Sequence, residues 1–141
     1  MKIFIDSTNL EEIKSAEKAG ILDGVTTNPS LIKKAVDDLK KQNKKIDIEG
    51  HIIEILKVCK GKPVSLEVVG LNFGEIVEEG KILYKRFNKY GKVYIKIPVN
   101  PCMEKECRND SDGIRAIKEL SKYKIPVNCT LIFTPEQALL A

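Results

Sequence analysis

The chain has 141 residues, which fits one domain with a buried core. Apolar residues make up 43% and charged residues 31%, as in a soluble globular protein. The formal net charge of +4 comes from 24 basic and 20 acidic residues of interspersed sign; that mild excess suits attraction of phosphorylated metabolites and lacks the basic stripe of a nucleic-acid binder.

Signals for strand and helix alternate along the chain. Residues 2–6 read as a short strand. Thr8 followed by Glu11 forms a capping-box pattern, Leu10, Ile13 and Ala16 keep a helical face, and Gly20 marks the stop. Residues 24–28 are the next strand. Asn28 is a good N-cap with Pro29 at the first helical position, and Leu31, Ile32, Ala35, Val36 and Leu39 follow with helical spacing. The lysine-rich stretch 40–45 reads as a solvated connection. Ile48, Ile52, Ile55, Leu56 and Cys59 form another helical face, closed by Gly61. Residues 63–69 are the third strand, Ile76, Val77, Gly80, Leu83, Tyr84 and Phe87 mark a helix, and 93–98 are the fourth strand. A polar loop at 99–110 leads to a short helix carrying Ile114, Ile117 and Leu120. Residues 125–133 are the fifth strand, and Thr134-Pro135-Glu136-Gln137 opens a last helix with a capping box. Strand followed by helix, repeated, implies a parallel α/β sheet in one domain over residues 1–141.

No run approaches the ~18 apolar residues of a membrane helix, and the first residues meet Asp6 too soon for a secretory leader. A cytoplasmic protein without a membrane partner is expected. The four cysteines, Cys59, Cys102, Cys107 and Cys129, lack zinc-finger spacing, and His51 is the single histidine. Cys102 and Cys107 are near enough in sequence to pair or to share a metal. Free loop thiols are the expectation in a reducing cytosol.

The strands are apolar except at selected positions near their C-terminal ends: Asp6; Thr26 and Asn28; Ser65 and Glu67; Lys96; Asn128 and Thr130. Paired polar residues are two apart and so share a face, while Val25, Leu66, Val68, Ile95, Ile97 and Val127 point the other way. Isolated charges inside a sheet are costly unless paired or functional. The C-terminal ends of parallel strands are where α/β proteins bind ligands, so an active site is expected there. The plainer alternatives are a structural Lys96 paired with Asp6 or Glu67, simple capping by Asn28, and β propensity at Thr130. A lysine amine in such a setting can attack a ketone and form a Schiff base, whose iminium draws electrons from a neighbouring C–C bond. Two carboxylates and a hydroxyl supply the proton transfers, and neither a metal nor another cofactor is required.

The segments FIDSTNLEEI (residues 4–13), GVTTNPSLI (24–32), VSLEV (64–68), VYIKIPV (93–99) and VNCTLIFTPEQALLA (127–141) resemble, in order and over nearly the whole chain, the transaldolase family with its short members and the related fructose-6-phosphate aldolases. The resemblance implies a (β/α)₈ TIM barrel and a Schiff-base transferase of the pentose phosphate pathway. It makes Lys96 the Schiff-base lysine and Asp6 the acid/base for the substrate hydroxyl. Glu67 and Thr130 become the holders of a catalytic water, and Asn28 and Asn128 partners of sugar hydroxyls or imine. Thr26 and Ser65 line the pocket. Glutamate at position 67 favours transaldolase, because the fructose-6-phosphate aldolases usually carry glutamine there. Expected substrates are sugar phosphates such as fructose 6-phosphate, erythrose 4-phosphate and sedoheptulose 7-phosphate.

Two features depart from the family. The loop at 100–112, with Pro101, Cys102 and Cys107, is longer than in the shortest members. Only about the first five of a barrel's eight β/α units are recognisable. The remaining three would carry the phosphate-binding arginine and most elements used for assembly. The full-length protein is expected to be a homo-oligomer. The five-unit chain is expected to expose a strand edge, and so to be marginally stable and poorly active. A reading of another class is an inactive half-barrel that serves as an assembly subunit.

Overall fold

The computed structural model describes residues 1–102 and 111–141. Among them run β1 (Phe4–Asp6), α1 (Leu10–Lys18), β2 (Gly24–Thr26), α2 (Pro29–Lys41), α3 (Ile48–Val58), β3 (Val64–Glu67), α4 (Phe73–Phe87), β4 (Val93–Pro98), α5 (Asp112–Lys122), β5 (Val127–Thr130) and α6 (Pro135–Leu140). The strands form one sheet in the order β1-β2-β3-β4-β5. A parallel sheet whose order follows the chain, with helix between successive strands, is the arrangement of consecutive units in a (β/α)₈ barrel. A doubly wound sheet would instead reverse direction at its first strand. The fold is therefore a partial (β/α)₈ barrel, as expected. No helix among the described residues is long and apolar enough to cross a membrane.

The chain divides into two compact units. The first comprises Met1–Leu66 and Phe87–Val93. Here β1 and β2 pair in parallel, Asp6 beside Thr26, and β2 pairs with β3, Thr26 beside Ser65. Helices α1 and α2 both pack on α3. Ile13, Val25, Val36, Ile55, Leu56 and Val64 form the core, each such side chain contributing about 1.5–3 kcal/mol on burial. Asn28 caps α2, its Oδ1 accepting from the Leu31 amide at 2.9 Å. The box at Thr8 does not form. Asn9 caps α1 instead, accepting from the Glu11 and Glu12 amides at 2.9 and 3.4 Å. Thr8 is buried and donates its hydroxyl to the Leu31 carbonyl at 3.0 Å. Two adjacent residues could have capped α1, and the pull of α2 on Thr8 decides between them. Helix α2 also takes in Lys40 and Lys41, the first residues of the expected connection.

The second unit comprises Glu67–Arg86 and Tyr94–Ala141. Its core holds Ile76, Ile95, Ile97, Ala116 and Leu120. Strand β4 occupies the expected residues and pairs in parallel with β5, from Ile95 beside Val127 to Pro98 beside Thr130. β5 stops at Thr130, short of the expected residue 133, because Leu131 takes a φ of +58°, a left-handed conformation that cannot continue a strand. The capping box of α6 forms: the Thr134 hydroxyl accepts from the Gln137 amide at 3.2 Å, and the Gln137 carbonyl oxygen from the Thr134 amide at 3.1 Å.

Cys102 is disulfide-bonded, which corrects the expectation of a free thiol there. Compartment is only an average guide, and pairing is decided by local geometry. Cys107 and most of the expected loop lie outside the described residues. Cys59 and Cys129 are free thiols.

Candidate active site

In the second unit, Lys96 stands on the half-buried face of β4 with Tyr94 and Pro98, while Val93, Ile95 and Ile97 are buried on the other face. Its Nζ lies 3.3 Å from Glu67 Oε2 at the end of β3, and the two side chains are only 12% and 16% exposed. Asn128 is the register partner of Lys96 on β5, so the two share a face; Thr130, two residues on, shares it too. Lys96 and Glu67 are thus in contact, and Asn128 and Thr130 lie on the matching face of the adjoining strand. Water screens so sheltered a pair poorly, which strengthens the attraction but makes desolvation expensive. Two apolar residues would hold the strands together at least as well, so the pair is poorly explained by stability alone. Cys129, between Asn128 and Thr130, is no rival nucleophile: burial pushes its thiol above the usual range.

In the first unit, Asp6, Thr26 and Ser65 form a row across β1, β2 and β3. The Thr26 hydroxyl donates to Asp6 Oδ1 at 2.7 Å, fixing one carboxylate oxygen and leaving the other as an acceptor. Asp6 is exposed, whereas Ser65 is closed off; the Ser65 carbonyl accepts from the Thr27 amide at 3.0 Å and the Thr27 hydroxyl at 2.8 Å.

The turn after Asp6 is tied down by residues that sequence reasoning did not single out for a role at the site. The Ser7 hydroxyl donates to the Glu12 carboxylate at 2.5 Å and accepts from the Asn9 amide at 3.0 Å. Buried His51 donates from Nε2 to the Thr8 carbonyl at 2.8 Å, while its buried Nδ1 has no partner among the described residues. His51 is 43 positions from Thr8, so no local pattern could reveal the contact. A groove of about 600 Å³ opens beside this turn, lined by Asp6, Leu10, Leu31, Lys34 and Asp38 among others. It takes in none of Thr26, Asn28 and Ser65, and its size alone does not make it the site.

Residues 3–141 match the model of the family described as Transaldolase/Fructose-6-phosphate aldolase. The chain is 47% identical over 142 residues to a "Probable transaldolase" of Nitrosopumilus maritimus (strain SCM1). It is 44% identical to one of Thermoplasma acidophilum and 43% to one of Clostridium botulinum (strain Hall). Each match takes in 100% of this chain and 53–54% of the relative, so the chain spans about half the length of these curated relatives. With the family model covering nearly every residue, the chain belongs to the transaldolase/fructose-6-phosphate aldolase family.

Proposed function

We propose that the chain carries the Schiff-base machinery of a class I transaldolase, which moves a dihydroxyacetone unit between sugar phosphates of the pentose phosphate pathway in the cytoplasm. The observation that carries this reading is the sheltered Lys96–Glu67 pair at 3.3 Å on the polar face of β3 and β4. The Lys96 amine adds to the ketone carbon of fructose 6-phosphate or sedoheptulose 7-phosphate. Glu67, with a water held by Thr130, moves the ammonium proton to the departing hydroxyl, and loss of water leaves an iminium. Asp6 removes the proton from the hydroxyl beyond the scissile bond. The C–C electrons then flow into the iminium, releasing an aldehyde and leaving an enamine on Lys96. Running the same steps backwards on an acceptor aldehyde such as erythrose 4-phosphate completes the transfer.

Thr26 orients Asp6 in this scheme. The helix cap occupies only the Asn28 oxygen, so its NH₂ group is the part that would meet a sugar hydroxyl. Asn128 serves the imine or a further hydroxyl, and Ser65 lines the pocket. A fructose-6-phosphate aldolase would follow the same course and release the dihydroxyacetone. The carboxylate at position 67 favours transfer.

Incubation with fructose 6-phosphate followed by borohydride reduction tests the reading. A dihydroxyacetone-sized adduct is expected on the Lys96 peptide and none on Lys96→Ala. No adduct either on this chain or on a version extended with the remaining three units, or an adduct on another lysine, would sink the Schiff-base assignment.

A further inference from the structure

The segment between β3 and α4 follows Glu67 directly, and its amides are held by carboxylates. Val69 and Gly70 donate to Glu79 Oε2 at 2.8 and 3.0 Å, Leu71 to Glu75 Oε2 at 2.9 Å, and Phe73 to Asp112 Oδ2 at 2.8 Å. Apolar packing seats the first residue, Val68, which is 4% exposed, but does little beyond it, because Val69 and Leu71 are each 64% exposed. Charge-assisted hydrogen bonds are roughly twice as strong as neutral ones, and from Val69 onward they are what holds this loop. Gly70 permits the close approach: a Cβ there would lie 2.8 Å from Glu75 Cβ and 2.9 Å from the Ile76 amide.

Glu79 differs from the other two carboxylates. It projects from α4, which is anchored by buried Ile76 and Val77, and one oxygen takes both amides nearest the site. The next amide inward, Val68, donates to the Lys96 carbonyl at 3.1 Å. The three residues after Glu67 are therefore held at one end by the backbone of Lys96 and at the other by Glu79.

We infer that Glu79 is a positioning residue that sets the approach of Glu67 to the Lys96 amine. The inference rests on the Schiff-base reading above. Glu79 touches neither reacting group; it acts through the backbone of residues 68–70, fixing where the Glu67 side chain begins. Without it, the exposed loop loses its only anchor at Val69 and Gly70 among the described contacts, and the carboxylate no longer meets the amine in one fixed geometry.

The test is borohydride trapping on the whole chain with fructose 6-phosphate, followed against pH for wild type, Glu79→Ala, Glu79→Gln and Glu75→Ala. Glu79→Ala is expected to slow trapping on the order of tenfold and to displace its pH profile, the scale of a sub-ångström misplacement of a reacting group. Glu79→Gln, whose oxygen still accepts, restores most of the rate. Glu75→Ala, which frees only the more distant Leu71 amide, stays near wild type. Should Glu79→Ala fail to fold, Glu79→Asp, with its shorter reach, is read in the same way. Wild-type rate and profile in the Glu79 variant, or an equal loss in Glu75→Ala, overturns the inference while leaving the Schiff base in place. No adduct on wild type, either as this chain or extended with the remaining three units, removes the Schiff-base reading and this inference with it.

Discussion

Strands β4 and β5 lie side by side in register, yet water reaches them differently. In β4, Val93, Ile95 and Ile97 are at most 1% exposed, and Lys96 shares the half-buried face between them. In β5 all four residues are half-buried, and Val127 is wetter than Ile95 beside it although both are apolar. Alternation assigns a side chain to a face, but neighbours decide how much water is removed. Among the described residues β4 has a strand on each side, whereas β5 is paired with β4 alone. The nucleophile proposed for this chain thus sits on the drier strand, where a charge pair is both stronger and more costly to isolate.

Several substitutions would break or sharpen this contrast. The largest stability loss is expected for Gly113→Ala, because a Cβ there would lie 2.0 Å from the Pro98 carbonyl and 2.6 Å from that of Val99. Backbone cannot yield as a side-chain tip can, so α5 must lift off the end of β4, at about 3 kcal/mol or more in urea denaturation. A loss below about 1 kcal/mol would mean that α5 is not seated on β4.

Next comes the paired comparison itself. Ile95→Ala should cost about 2–4 kcal/mol, and Val127→Ala about 1 kcal/mol or less, by the same measurement. Equal losses would show that the two strands are equally dry in solution.

The last effect, confined to alkaline pH, concerns the two free thiols. Cys59 is fully buried, and burial together with Glu17 pushes its thiol up to about 11 from an ordinary 9.0. The folded state therefore holds this proton more tightly than the unfolded chain. The associated stability is fully present below pH 9 and is lost as pH rises from 9 to about 11, on the order of 2 kcal/mol. Melting curves of wild type should fall more steeply over that window than those of Cys59→Ala, and parallel curves would contradict the shift. In native protein, half-buried Cys129 should alkylate before Cys59.

Much of this was legible in the sequence, but unevenly. The cap at Asn28, the box at Thr134 and the limits of β4 depend on residues within a few positions of one another, and all three form as written. The local pattern pointed to Thr8 as the cap of α1, but contact with Leu31, 23 positions away, engages the Thr8 hydroxyl and Asn9 caps the helix instead. β5 read as longer than it is because Leu131 is an ordinary strand residue in composition, and only its left-handed backbone ends the strand. Polar residues near the ends of apolar strands singled out eight positions, of which the structure sets Lys96 beside Glu67 and in register with Asn128. They left open whether Lys96 would meet Asp6 or Glu67.

The sequence by itself determined the alternation of strand and helix, the faces that the polar residues share, and the family. Each of these is written in short-range periodicity or in contiguous motifs. Tertiary structure alone decided that Glu67 lies 3.3 Å from the Lys96 amine, that Glu79 and Asp112 hold the loop beyond it, and that Cys102 is bonded. The reason is separation along the chain. Glu67 and Lys96 are 29 positions apart, and Phe73 and Asp112 are 39 apart. Such contacts exist only once packed helices and paired strands have carried distant backbone into reach.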